Sequence, residues 1–442
     1  MQIDIPLDLF TFPDVPLPDV RTVEQLFDTP ALAPAQIEAE VRRAVDELAR
    51  DPRLRTGASV AVGVGSRGLE NLALVVRTAI SALKAHGLQP FIVPAMGSHG
   101  GATAEGQTEV LHSYGIAPEE VGADIRATME VKEIGRLEGE EAGPFAGEPV
   151  YLDRNAAGAN AILLINRIKA HTDFQGEIES GIAKMTAIGL GKQRGAASIH
   201  HYGAYGLREK MPRVARFLAQ HAPVVGGIAM IENERGETAE VHALPADQIA
   251  RDGEKALLKR ARAIMPRLPF SEFDVLIVDE MGKNVSGTGM DTHVIGRALM
   301  PGISESEWGG PCIRLIAVLD LTRESHGNAA GIGLADLTTR RLIEKVDFGA
   351  SFTNMCTSGE GGVLKARLPL ILPTGEDCVR TAVATCGQPS PDKVRLIRIR
   401  NTAHTQFLEI SGALLQEARQ NTRLNVEERS RPLDLCRPVG SG

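Results

Sequence analysis

Aromatic side chains make up only 4% of this 442-residue chain, and Trp308 is its single tryptophan. That scarcity argues against stacked recognition of single-stranded nucleic acid. Positive charge is also short: 48 Lys and Arg against 56 Asp and Glu leave a formal net charge of −8, which disfavours a phosphate-backbone partner. The five cysteines, Cys312, Cys356, Cys378, Cys386 and Cys436, stand apart with no CxxC spacing. Reduced thiols in the cytoplasm are expected from them, not a disulfide frame or an all-thiolate zinc site. No apolar run is long enough to span a bilayer, and the opening MQIDIPLDLF is too acidic and short for a secretory signal. A cytoplasmic protein without membrane or nucleic-acid partners is therefore expected.

Hydrophobic content of 43% and charged content of 24% are those of a globular protein, and the length exceeds what one ordinary core supports. The first thirty residues alternate proline with apolar residues and read as an extended arm. Pro34 to Arg50 has helical spacing, SVAVGVG (Ser59 to Gly65) reads as a buried strand, and a helix follows up to Gly87. FIVPA (Phe91 to Ala95) is a second strand, and Thr103 caps a helix running to Tyr114. Val150 to Leu152, Ala161 to Ile165 and Val224 to Ile231 add strands, and Asp247 to Ile264 reads as a basic amphipathic helix. The prolines of MPRLPF (Met265 to Phe270) suggest a hinge. Beyond it, FDVLIVDEMG and CIRLIAVLDL begin a second unit, with helices near Leu334 to Lys345 and Glu376 to Cys386, and VRLIRIRN and HTQFLEIS as closing strands. This alternation predicts an α/β fold of two domains, residues 1–265 and 266–442, with mainly parallel sheets facing each other across an active-site cleft.

The stretch from Asn166 to Tyr202 carries most of the candidate chemistry. It holds His171, Lys184, Lys192 and the pair His200-His201 in Gly-rich, polar sequence, and its lack of apolar periodicity predicts little contribution to a core. His171 directly follows a strand, where α/β folds place ligands. His99, in Gly97-Ser98-His99-Gly100-Gly101, follows the second strand in the same way and is either an acid/base or an exposed loop histidine. Two imidazoles on opposite sides of one carbon are what a racemisation requires. Lys184, among small and apolar residues, is either a desolvated nucleophile or a lysine snorkelling along a helix. His200 or His201 offers a neutral imidazole to nickel, zinc or copper.

Gly63-Val64-Gly65-Ser66-Arg67-Gly68 is a GxGxxG between strand and helix. It is either a tight turn or a phosphate cradle in which Ser66 and Gly68 face a cofactor, with Arg67 an anion partner. A dinucleotide fold would also place a carboxylate at the tip of the second strand, where this chain has Val93-Pro94-Ala95-Met96. In the second domain, Lys283 in Asp279-Glu280-Met281-Gly282-Lys283-Asn284 ends a strand, and Asn354 to Gly362 reads as a polar loop.

The order SRG, AMGSHGGAT, NRIKAHTDF, ESGIAKMTAIGLGKQ, IHHYG and VDEMGKN resembles the lactate racemase family over about Ala58 to Asn284, in a branch of uncharacterised relatives. The resemblance implies a nickel-pincer nucleotide, a pyridinium ring whose two thioacid arms hold nickel, supplied by cofactor biosynthetic enzymes. It implies His99 and His171 as acid/base pair, Lys184 as the lysine joined to the cofactor, and His200 as nickel ligand. Arg67 and Lys283 match the cations that hold a substrate carboxylate. The implied reaction is racemisation or epimerisation of a 2-hydroxy acid by reversible hydride transfer through a 2-keto acid. The family's Asp-Asp-x-Thr-Arg-Pro run is replaced here by Gly63 to Gly68, and its Arg after the first histidine by Gly100. An NAD-dependent oxidoreductase and a non-catalytic nickel or cofactor carrier are the competing readings.

Overall fold

A computed structural model describes residues 13–65 and 69–440. The chain divides into two compact units, residues 29–265 and residues 266–442 joined by the first 28. The division at Met265/Pro266 coincides with the proline-marked hinge, but the opening segment does not stay with the sequence that follows it. Its strand β1 (Val20–Gln25) pairs antiparallel with two strands from the far end of the chain.

The unit of residues 29–265 is built on a five-stranded sheet. Its strands are β2 (Ser59–Val64), β3 (Gln89–Pro94), β6 (Ala161–Arg167), β7 (Val224–Glu232) and β8 (Thr238–Pro245), with β4 (Val131–Arg136) and β5 (Pro149–Asp153) forming a separate hairpin. The order is β3-β2-β6-β7-β8, parallel except for β8. Val150 to Leu152 thus belongs to the hairpin and not to the main sheet.

Alternation along the strands feeds two cores. Val60, Val62, Val64, Leu163 and Ile165 face helices α1 (Pro34–Leu48) and α2 (Leu72–Ala85). Ala61, Ile162 and Leu164 face the other layer. Fully burying each such Val, Leu or Ile contributes roughly 1.5–3 kcal/mol.

That second layer contains the stretch predicted to lie outside the core. Ile182–Lys184 is one helical turn running into the π-helical turn Met185–Gly189, followed by helix α4 (Lys192–His200); α3 (Ala104–Ser113) precedes them. Ile182, Ala183, Met185, Ala187, Ile188, Leu190, Ala196 and Ile199 are all buried, together with Leu218 of α5 (Met211–His221). The glycines between them permit close approach: a Cβ on Gly189 would stand 2.6 Å from the Ala95 carbonyl oxygen. The basic helix α6 starts at Asp252 and runs to Ala263, with Asp247 in a separate short turn.

In the other unit, β9 (Glu272–Val278), β10 (Cys312–Val318), β11 (Leu337–Thr339), β12 (Leu370–Leu372) and β13 (Leu396–Asn401) are parallel. They continue through antiparallel β14 (His404–Ser411) and β1 to β15 (Leu424–Val426). The helix expected near Leu334 to Lys345 is only Arg340–Glu344, because Leu337–Thr339 is a strand. The predicted loop from Asn354 to Gly362 lies largely within two helices, Phe348–Thr357 and Glu360–Leu364. Both units are mixed α/β with mainly parallel sheets.

Candidate active site

The carboxyl ends of β2, β3 and β6 carry the candidate residues of residues 29–265. His171 follows β6, and buried Glu179 fixes its backbone: the His171 N–H donates to Glu179 Oε2 (2.6 Å) and Gly176 N–H to Glu179 Oε1 (2.9 Å). Arg262 also donates to Glu179 Oε1. The imidazole packs on Phe174, centroids 4.6 Å apart. Its Nδ1 accepts from the Asp173 backbone N–H at 3.0 Å, and its Nε2 lies 2.7 Å from Lys184 Nζ.

These two contacts constrain the protons. A neutral imidazole whose Nδ1 accepts carries its hydrogen on Nε2. In that tautomer Nε2–H donates to Lys184 Nζ; an ammonium at Lys184 would instead donate to Nε2, with the ring hydrogen on Nδ1. Lys184 is half buried, at the end of the turn Ile182–Lys184. That turn is capped from α6 by Glu254, whose Oε1 accepts from Ala183 N–H (2.9 Å) and Oε2 from Ala250 N–H (2.8 Å). Gly181 is needed there, since a Cβ would meet Glu254 Oε1 at 2.3 Å.

His200 closes α4. Desolvation first, and then the charge of Lys184, push its pKa down to about 4, while Asp173 opposes them. The ring is open to solvent by area although the protein around it is dense. Accessible area decides whether a metal can reach it, and surrounding density decides its charge. It is therefore a reachable, neutral imidazole at pH 7, the form that ligates metals. Desolvation acts whether or not Lys184 carries a proton. His201 instead sets its ring edge-on to Tyr202, centroids 5.1 Å apart.

His99 is exposed on the next loop of the same sheet edge. Its N–H donates to Met96 O (3.1 Å), and Gly97 N–H donates to Gly189 O (3.1 Å), anchoring the loop on the π-helical turn. Ser66, Arg67 and Gly68 lie outside the described residues. The first two glycines of that motif have a packing role: a Cβ on Gly63 would lie 2.6 Å from Leu164 Cδ2, and one on Gly65 3.2 Å from Met185 Sδ. Lys283 belongs to the other unit, where its Nζ donates to Gly287 O (2.6 Å) and Asn354 Oδ1 (2.7 Å).

The structure thus brings His171, Lys184 and His200 into one neighbourhood, with His99 on the adjoining loop. Glu179, Glu254, Asp153, Gln107 and the role of Lys192 escaped sequence reasoning. Their signal was a charged or amide residue embedded in apolar or Gly-rich sequence. Among the described residues, no group of three or more His, Cys, Asp or Glu side chains is placed to hold a metal ion. No helix among them is long and apolar enough to cross a membrane.

Fold and site define a mixed α/β protein with a histidine–lysine pair at the carboxyl edge of a parallel sheet. No family model and no curated protein matches the chain. It is similar to the crystal structure of a Thermotoga maritima protein from a structural genomics consortium, at 13% identity and a TM-score of 0.48, over 86% of this chain and 99% of that one.

Proposed function

We propose that the chain is a racemase or epimerase of a 2-hydroxy acid that works with a nickel-pincer nucleotide. The observation that carries this reading is the 2.7 Å approach of Lys184 Nζ to His171 Nε2, beside the neutral imidazole of His200. The donor set fits such a group. A lysine amine suits covalent attachment through a thioamide, and a lone imidazole suits a metal whose other ligands the cofactor would supply. When bound, that cofactor would supply the hydride acceptor that side chains lack.

The chain's own residues do the rest. Lys184 would hold the cofactor, and His200 would ligate its nickel. His171 would take or return the substrate hydroxyl proton at Nε2, in the tautomer that carries the ring hydrogen on Nδ1. Glu179 fixes the backbone of that histidine, and Phe174 packs on its ring. His99 would be the second proton carrier, serving the mirror-image substrate, and Arg67 a partner for the substrate carboxylate.

The test is coexpression with the cofactor's biosynthetic enzymes. Intact mass should rise by that of the pincer nucleotide, Lys184→Ala should lose the covalent gain, and chiral chromatography over a panel of 2-hydroxy acids should find one interconverted. Retention of a nicotinamide cofactor instead would favour the oxidoreductase. Loading without interconversion of any panel member, with content unchanged in His99→Ala and His171→Ala, would favour a carrier.

A further inference from the structure

Lys192 is fully buried in a layer of apolar side chains, and its backbone is left-handed, with φ of 53°. A non-glycine residue in that region is strained, so the surrounding contacts must hold it there. Its Nζ makes three approaches: 2.7 Å to the Pro94 carbonyl at the end of β3, 2.6 Å to Gln107 Oε1 on α3, and 3.4 Å to Asp153 Oδ2 at the end of β5. Two hydrogen-bond acceptors and a carboxylate in ion-pair range describe an ammonium. Burial lowers the Lys192 pKa and raises that of Asp153, opposed in each case by the partner's charge. Asp153 Oδ1 is occupied by the Ala156 N–H at 2.9 Å. Its Oδ2 is within ion-pair range of Lys192 but has no hydrogen bond, so that contact is coulombic.

The consequence lies one residue further on. Gln107 is also fully buried, and because its Oε1 accepts from Lys192 its amide can point only one way. The two Nε2 hydrogens then face the carbonyls of Gly97 (2.9 Å) and His99 (3.2 Å). Lys192 thus selects the Gln107 rotamer, and Gln107 holds the backbone on both sides of Ser98.

We propose that Lys192 and Gln107 are positioning residues that set the backbone of the His99 loop. The catalytic consequence rests on the acid/base reading of His99; the positioning itself does not. Gln107→Glu is the discriminating variant. It keeps an acceptor for Lys192, and adds charge to it, but removes both donors to the loop. Hydrogen exchange across residues 97–103 should then rise about tenfold, the scale of two modest hydrogen bonds, with β2, β3 and β6 as protected as before. Lys192→Met should loosen the same loop and lower overall stability besides, because Asp153 is left buried and uncompensated. In the loaded enzyme, Gln107→Glu should reduce kcat with KM held. The His99 ring resonance should move in the apo protein, which a purely structural role would leave in place. Exchange in 97–103 unchanged in both variants, or raised evenly over the whole unit, overturns the proposal. Should no hydroxy acid be turned over by the native protein, the racemase reading fails while exchange and the His99 resonance still decide this one.

Discussion

Lys184 Nζ stands 2.7 Å from His171 Nε2, on a ring whose other nitrogen is already engaged by the Asp173 N–H at 3.0 Å. With the ring hydrogen on Nε2 the amine is unprotonated, and its reactivity at neutral pH tests that state. Acylation of the native protein by an N-hydroxysuccinimide ester should label Lys184 ahead of the exposed lysines at pH 7. In that reaction Nζ bonds to the acyl carbon, N-hydroxysuccinimide leaves with the bonding pair, and the proton goes to solvent. His171→Ala removes the donor to the amine, and labelling of Lys184 at pH 7 should slow by about tenfold, one unit of protonation equilibrium. Peptide mapping by mass spectrometry reads both. Equal labelling of Lys184 and surface lysines in the native chain would mean that the pair does not hold the amine neutral.

His200 should titrate near pH 4, well below an ordinary histidine. The sign follows from the direction of the shift. Its folded pKa is depressed below the unfolded value near 6.5, so protonation disfavours the folded state. Any contribution to stability is complete above pH 6.5 and is lost as pH falls towards 4. Its size is small, because the ring is open to solvent by area. Proton–carbon NMR of the ring Cε1–H is the direct measurement. Lys184→Met should move the midpoint upward by removing the second cause, leaving the larger desolvation effect. A midpoint at 6.5 in the native protein would contradict the arrangement.

The strands of the five-stranded sheet were legible because Val60 to Val64 and Ala161 to Ile165 are buried on both faces and read as continuous apolar runs. β8 was not, since TAEVHALP mixes buried with half-buried positions, polar residues among them, and its identity comes from pairing with β7. β1 escaped for a related reason: its partners β14 and β15 come from the other end of the chain, and pairing at that range leaves no local signal. The stretch from Asn166 to Tyr202 was expected to contribute little to a core, yet Ile182, Ala183, Leu190 and Ile199 within it are buried. Hydropathy counts Lys192 and Thr186 as surface residues, whereas both are fully buried, Lys192 against two hydrogen-bond acceptors and a carboxylate, and Thr186 donating to Ile182 O at 2.8 Å. Satisfaction of a polar group is a tertiary property.

Glu254 stabilises the turn that presents Lys184, and Glu254→Gln tests it. Each carboxylate oxygen accepts one backbone N–H, from Ala183 at 2.9 Å and from Ala250 at 2.8 Å. Ala250 is itself left-handed, with φ of 54°. An amide has one acceptor, so one backbone N–H would face an NH2 group. The expected loss is about 1–3 kcal/mol, the cost of a buried group left unsatisfied. Urea denaturation should show it as a lower midpoint, accompanied by slower acylation of Lys184. A variant as stable as the native chain would show that the cap is dispensable.

Gly100 and Gly101 sit side by side with φ of 63° and 65°, yet their substitution should differ sharply. A Cβ on Gly101 meets nothing within 4 Å, so Gly101→Ala carries only the left-handed penalty of about 1–2 kcal/mol. A Cβ on Gly100 would stand 2.6 Å from Gln107 N at the start of α3, backbone that cannot swing aside as a side chain would. Gly100→Ala therefore adds roughly 1–3 kcal/mol of overpacking and displaces the residue next to His99. The same clash explains why an arginine has no room at position 100 in this loop. Thermal melts of the two variants, with exchange over residues 97–103 as the local readout, should rank Gly100→Ala as the more damaging. Equal losses would mean that the loop yields without resistance, and the fixed His99 backbone would be lost with it.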